Sequence, residues 1–155
     1  MNHQLATSNA ASNSEDAMSQ LKRVRVNGHE LKQRLDELRA EFAIQEQSFA
    51  EVNSRCNQLL ASIQEHNKVN PSDSSFLRGE LDVGKWKECH DALTAEFINS
   101  SDVRKEIMQT REKLRFEIVK TGADLNRLPM SERNLMAQIA RSPSRLLKNS
   151  TYPKA

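Results

Sequence analysis

Apolar residues recur at alternating spacings of three and four along most of this chain. In the first half the pattern begins at Leu21 and continues without a slip, as a heptad with mostly apolar a and d positions. Gly28, Gln45 and His66 are the exceptions among these positions. A repeat sustained for more than three to four heptads is typical of a coiled coil. The pattern therefore predicts a long coiled-coil helix over residues 15–69.

A second heptad begins at Val83 and has more polar residues on its a side. Arg104 and Arg111 occupy two of its a positions. An arginine can lay its aliphatic stem along an apolar seam and lift its charged head out to solvent. The pattern predicts a second coiled-coil helix over residues 83–128, with a seam that is less stable and more selective for its partner than the first.

Two prolines interrupt the predicted helices. Pro71 lacks a backbone donor and pushes the residue before it toward extended geometry, so residues 70–82 are predicted to form a linker. Ser72, Asp73 and Ser74 are suitable caps for a new helix. Pro129 is predicted to end or bend the second helix, leaving a short last helix over 129–140 that Ser131 and Glu132 can open.

Both ends of the chain are predicted to be disordered tails. Residues 1–14 are rich in Asn, Ser and Ala and show no signal-peptide pattern. Ser14 or Asp16 is expected to cap the first helix. Residues 141–155 are polar and basic and contain two prolines.

The composition indicates a narrow apolar seam and not a thick globular core. Hydrophobic residues make up 37% of the chain and aromatic residues 5%, whereas globular chains are about 45–50% apolar. The expected fold class is all-α, an elongated coiled coil of two long helices with a break near residues 70–75. A short connection favours an antiparallel hairpin, but the pattern is also compatible with helices that run on in line.

The predicted coiled-coil interface consists of apolar a and d residues on both helices. They are Leu21, Val24, Leu31, Leu35, Leu38, Phe42, Phe49, Val52, Leu59, Ile63, Trp86, Leu93, Phe97, Ile107, Leu114, Ile118 and Leu125. Trp86 is the one tryptophan, and we interpret it as a bulky d residue that closes the second seam, with a partner-binding anchor as the alternative. Gln45 and His66 are polar residues at d positions. They either fix the helix register and the choice of partner helix, or they mark places where water reaches the seam.

No motif points to catalysis, a cofactor or a metal site. The four histidines are scattered, and the neighbours Cys89 and His90 point about 100° apart on a helix. No phosphate-binding Gly-rich loop or nucleophile elbow is present. The chain is therefore expected not to be an enzyme. Without a signal peptide it should remain in a reducing compartment, where Cys56 and Cys89 stay unpaired.

Charge and hydropathy also limit the expected partners. The net charge is +2 with mixed signs along the chain, and no apolar run approaches the ~18 residues of a membrane span. Neither a membrane nor direct nucleic-acid binding is expected. A chromatin binder that uses the basic tail is an alternative. The tail, however, has only four basic residues and one aromatic residue with which to contact nucleic acid.

A possible phosphorylation site lies beyond the last predicted helix. Ser142 begins a Ser-Pro-x-Arg sequence, the form that proline-directed cell-cycle kinases prefer. Phosphate there would add up to two negative charges near Arg141 and Arg145. The alternative interpretation is that Ser142-Pro143 is a plain helix stop.

The C-terminal part resembles the coiled-coil segment of the nuclear-filament (Nuf) kinetochore subunit. The resemblance is carried by Lys120-Thr121, Leu125-Asn126 and Leu128, and most specifically by the run from Ile139 to Leu147. It implies a subunit of the four-chain outer-kinetochore Ndc complex, paired in a parallel coiled coil with the Hec-type subunit. The chain lacks the N-terminal calponin-homology domain of that family, so it would be a fragment, truncated paralogue or short isoform, and no microtubule-contact residue is carried over.

The leading hypothesis is a structural coiled-coil subunit that pairs with another long helix, in the outer kinetochore for chromosome segregation. Its partner would be the Hec-type subunit, another coiled-coil protein or a second copy of itself. The expected location is the nucleus at the kinetochore, or otherwise the cytoplasm. The alternative hypothesis is a coiled-coil adaptor in vesicle tethering or cytoskeletal organisation, which would have the same heptads.

Overall fold

The fold is all-α and coiled-coil-like, with two long helices. The structure is a computed structural model that describes residues 3–69, 78–79 and 82–141, with side chains from Glu15 onward. Helix α1 spans His3–Asn67 and helix α2 spans Val83–Ala140. The described residues contain no β-strand. Each helix carries the apolar seam along one face and charged residues on the other faces.

Helix α1 begins earlier than the sequence pattern predicts. The predicted start lies at residue 15, whereas the helical backbone begins at His3. The segment before Ser14 contains four alanine and leucine residues that favour a helix and no Pro or Gly that would break it. A helix that is already nucleated by the seam from Ala17 onward can therefore propagate towards the N-terminus.

Turns follow α1 and a side-chain cap precedes α2 in the described part of the connection. After α1 the Val69 amide donates to the His66 carbonyl over 3.3 Å, and Gly79 has φ +74°, which favours glycine. The Asp82 carboxylate accepts from the backbone amides of Gly84 and Lys85 at 2.9 and 3.2 Å. Asp82 is therefore the N-cap of α2. The predicted caps at residues 72–74 lie outside the described residues.

Removing this cap should measurably destabilise the start of α2. Asp82→Ala leaves two backbone amides without their acceptor and is expected to cost about 1 kcal/mol of unfolding free energy. Asp82→Asn, which keeps an acceptor oxygen, should retain most of it. Urea unfolding followed by circular dichroism checks both variants. Equal midpoints for the Ala variant and the unmodified chain would show that water replaces the cap without loss.

Helix α2 continues through Pro129, which differs from the predicted separate helix over 129–140. Proline removes the helical hydrogen bond to the carbonyl of Leu125 and costs about 3 kcal/mol in a helix interior. Burial on both sides of the proline offsets this cost. Leu128 and Leu135 are one heptad apart, and both remain on the seam face that α1 covers. The tertiary contact therefore overrides the local breaking signal.

Replacing Pro129 should stabilise the protein because the helix is already continuous there. Pro129→Ala restores a backbone donor inside α2, and we expect a gain of about 2 kcal/mol after the smaller entropy of the proline-containing unfolded chain is allowed for. Thermal unfolding by circular dichroism measures the effect. Asn134→Ala, an exposed substitution on the same helix, is the control. A lower melting temperature for Pro129→Ala would mean that the pyrrolidine ring itself contributes to packing.

The chain divides into two compact units, and unit 1 combines the two ends of the chain. Unit 1 contains residues up to Leu38 and residues from Glu117 onward. Its core cluster consists of Ala17, Leu21 and Leu135. Val24 and Ile139 pack against this cluster, and Leu38 is fully buried. The core is therefore a single seam between the first part of α1 and the last part of α2.

Unit 2 contains the middle of the chain, Arg39–Phe116. Its most buried side chains are those of Cys56, Leu59 and Leu114. Cys56 is 1% exposed and occupies a seam position, where a free thiol packs as a small apolar group. Cys89 is also a free thiol but is exposed.

Candidate functional site: the interhelical seam

The residues predicted for the coiled-coil interface all lie on the covered faces of the two helices. Leu21, Leu35, Leu38, Leu59 and Leu114 are buried. The remaining twelve are half-buried: Val24, Leu31, Phe42, Phe49, Val52, Ile63, Trp86, Leu93, Phe97, Ile107, Ile118 and Leu125. Val83, the first position of the second heptad, is the one exposed seam position, at 48%. The heptad thus selects the apolar face along both helices.

Within each unit the seam of α1 is covered by α2 of the same chain, and the helices run antiparallel. In unit 1 the Arg25 guanidinium donates to Glu132 at 2.9 Å, whereas Arg34 further along α1 reaches back to Glu117 at 3.3 Å. In unit 2 Asn53 pairs with Arg104, and His66 pairs with Trp86. In both units, residues further along α1 contact residues that come earlier in α2.

Arg111 is a polar seam residue of α2 that contacts two residues of α1. Its Nε donates to Glu46 Oε1 at 2.6 Å, and its guanidinium lies 4.4 Å from the centre of the Phe49 ring. Only 17% of its side chain is exposed. The sequence predicts a guanidinium that reaches solvent, whereas the structure places it in an ion pair and a cation–π contact. The pairing could not be assigned from sequence because Glu46 is brought opposite Arg111 only by the antiparallel register.

Arg104 and Arg115 of α2 also contact α1 within unit 2. Arg104 occupies an a position, and its Nη1 donates to the Asn53 side-chain oxygen at 3.1 Å. The Arg115 guanidinium lies 5.7 Å from the centre of the Phe42 ring. Each contact joins a cation on α2 to a group on α1 in one register only. These contacts therefore disfavour a slip of one helix past the other by a heptad.

An aromatic stack closes the seam of unit 2 beside the connection. The rings of His66 and Trp86 stack with centroids 4.7 Å apart, and those of Trp86 and His90 with centroids 5.2 Å apart. His66 Nε2 lies 3.0 Å from the carbonyl oxygen of Trp86. The polar d residue His66 is thus part of a packed cluster with Trp86 and His90.

Gln45 is the second polar d residue, and it is half-buried. Its side chain forms no hydrogen bond to another described residue. A half-buried amide that has no protein partner can keep its hydrogen bonds to water. This arrangement favours the interpretation of Gln45 as a solvated place in the seam.

Neither a metal site nor a membrane span is found among the described residues. No three of their histidine, cysteine or acidic side chains lie close enough together to hold a metal ion. Neither helix contains, within its described residues, a stretch that is apolar enough to span a membrane. The candidate phosphorylation site Ser142 lies outside the described residues. We therefore take the seam between α1 and α2 as the candidate functional site.

The geometry defines the class of protein, an all-α chain with a coiled-coil-like pairing of two long helices. Comparison with protein-family models, with curated proteins and with solved structures finds no match to this chain.

Proposed function

We propose that this chain is a non-catalytic, structural coiled-coil subunit that binds another long helix. The observation that carries the proposal is the continuous seam, in which every predicted interface residue is buried or half-buried. Twelve of the seventeen remain half-buried after α1 and α2 have paired. Two helices leave the flanks of their shared seam open, and a further helix can cover these flanks in a bundle.

The setting we propose is the outer kinetochore, with the nucleus as location. This part of the proposal is supported by the resemblance of Ile139–Leu147 to the nuclear-filament subunit, whose implied partner is the Hec-type subunit. Affinity capture of the tagged full chain from dividing cells tests it. Recovery of kinetochore coiled-coil subunits would support the setting, and their absence from a capture that does recover other coiled-coil proteins would contradict it.

An adaptor role in vesicle tethering or cytoskeletal organisation is the second candidate. The same seam supports it, because an adaptor that pairs long helices needs the same apolar a and d positions. Fluorescence microscopy of a tagged copy separates the two candidates. Centromeric signal in mitosis supports the kinetochore setting, whereas vesicular or filamentous signal without it supports the adaptor.

A seam variant tests whether any binding depends on helix pairing. Leu59 is buried in the seam of unit 2, and Leu60 beside it is 42% exposed. Leu59→Asp should abolish recovery of coiled-coil partners, because it places a charge in a desolvated seam. Leu60→Asp adds the same charge on the surface and should leave recovery intact. Equal recovery with the two variants would show that the partner binds independently of the paired helices.

A further inference from the structure

Helix α2 carries a second stripe with alternating spacings of three and four beside its seam in unit 2. The stripe begins at Asp91, is centred on Ile98 and ends at Lys105, with Thr94 and Ser101 between them. These are b and e positions of the heptad, so the stripe runs along one flank of the seam. Ile98 is 53% exposed, and both charged residues are exposed. We call these five residues the Ile98 stripe.

Contacts within unit 2 place the Ile98 stripe on a defined side of the helix pair. Arg55 pairs with Glu96, and both occupy g positions, so the g flanks of α1 and α2 lie on the same side. The e flanks lie on the opposite side, where Glu46 of α1 pairs with Arg111. The Ile98 stripe therefore shares its side with the b and e residues of α1.

The α1 residues beside the Ile98 stripe carry no charge. The hydrogen bond between Asn53 and Arg104 places this part of α1 alongside the stripe. The b and e residues of α1 along this length are Ala50, Asn53, Asn57, Leu60 and Gln64. Leu60 is 42% exposed. Along this length, the charged b and e residues are therefore the two ends of the Ile98 stripe.

The two charged ends of the stripe are available to a partner. Neither Asp91 nor Lys105 forms an ion pair or a side-chain hydrogen bond with another described residue. They lie two heptads apart, which is about 21 Å along the helix. Ile98 lies midway, one heptad from each. The stripe therefore has opposite charges at equal distances from an apolar centre.

We infer that the Ile98 stripe binds the Ile98 stripe of a second copy of this chain, with the two α2 helices antiparallel. In a two-fold symmetric interface, residue i contacts j and j contacts i. With Ile98 on the axis, Asp91 of each copy meets Lys105 of the other, so two ion pairs form. Thr94 meets Ser101 in the same way, and their small side chains allow close approach. The inference rests on the proposed function and names both the surface and the partner.

The order of charges selects this orientation. Parallel pairing of the same two stripes would set Asp91 against Asp91 and Lys105 against Lys105, which is repulsive. In the antiparallel arrangement the same axis also brings the uncharged b and e residues of the two α1 helices together. The product is a four-helix bundle in which each copy keeps its own seam.

Sedimentation equilibrium on the purified full chain tests the inference. We expect the unmodified chain to form dimers in the micromolar range. Asp91→Lys and Lys105→Asp each place like charges against each other in both pairs. Each variant should weaken dimerisation at least tenfold, equivalent to about 1.4 kcal/mol. An equimolar mixture of the two variants should dimerise as well as the unmodified chain, because one variant then supplies two lysines and the other two aspartates at the paired positions.

A pair of apolar substitutions supplies the second arm. Ile98→Asp puts two carboxylates together at the two-fold axis and should abolish the dimer. Ile44→Asp is the matched control, because Ile44 is 63% exposed in unit 2 but occupies a c position, on the g side of α1. The control should dimerise like the unmodified chain. Circular dichroism verifies that all variants keep their helix content.

The inference fails if the full chain is monomeric in this range, or if either charge variant dimerises as well as the unmodified chain. It also fails if the mixture remains monomeric, if the mixture binds more tightly than the unmodified chain, as parallel stripes would, or if Ile44→Asp is as disruptive as Ile98→Asp. Failure of the proposed function is distinct. A monomeric chain that still captures coiled-coil partners through the Leu59-dependent seam contradicts only the assignment of the Ile98 stripe. A chain that neither dimerises nor captures such partners contradicts both.

Discussion

Leu35→Asp together with Leu38→Asp is expected to separate the two helices of unit 1. Both leucines are buried, and Leu38 is 0% exposed. Loss of a buried leucine side chain costs about 2–5 kcal/mol, and a carboxylate left in the seam adds a desolvation penalty. The pair should therefore cost more than about 5 kcal/mol, which is comparable with the total stability of many domains.

Hydrogen exchange with peptide-level resolution measures this effect directly. Protection should be lost around Leu21 in α1 and around Leu135 in α2, because these residues belong to the core of the same unit. Met18→Asp with Val26→Asp is the matched control, since both side chains are exposed on α1 in unit 1. If the control pair caused equal deprotection, the seam would not be the source of stability.

Trp86→Ala is expected to open the end of unit 2 beside the connection. The substitution removes the ring that stacks on both His66 and His90. Truncation of a tryptophan costs about 3–5 kcal/mol when it is fully buried. Trp86 is half-buried, so we expect a loss of about 3 kcal/mol, the lower end of that range.

Urea unfolding followed by circular dichroism provides the measurement, because the variant lacks the one tryptophan of the chain. Trp86→Phe keeps an aromatic ring and should recover at least half of the lost stability, since stacking and apolar burial are partly preserved. Cys89→Ala changes an exposed neighbour on the same helix and should have little effect. A Trp86→Ala variant as stable as Cys89→Ala would mean that the aromatic stack contributes nothing to holding the helices together.

Helix pairing within each unit changes how a partner can bind. The sequence alone is compatible with a seam that waits for another chain, but α2 covers the seam of α1 in both units. A partner helix must therefore either replace one of these helices or add to an open flank. A helix that adds to an open flank leaves the buried leucines of the seam covered. This is the physical reason to look for a contact at an open flank and not for exchange of α2.

The sequence by itself determined the fold class and the face of each helix that is covered. The 3,4 spacing is a local property, and side chains three and four residues apart share a helix face whatever the partner. The spacing alone therefore identifies Leu38, Leu59 and Leu114 as seam residues. The start of the second helix at Val83 was equally readable, although its cap Asp82 was missed. An acidic residue directly before the first heptad position was the signal.

Only the tertiary structure decided the direction of pairing and the partner of each polar seam residue. Heptads do not encode direction, so Glu46 opposite Arg111 and the stack of Trp86 on His66 follow from the antiparallel register. The continuity of α2 through Pro129 was likewise invisible in the sequence. Proline is a local breaking signal, and it is overridden only because α1 covers the seam on both sides of it, where the burial of Leu128 and Leu135 outweighs one lost hydrogen bond.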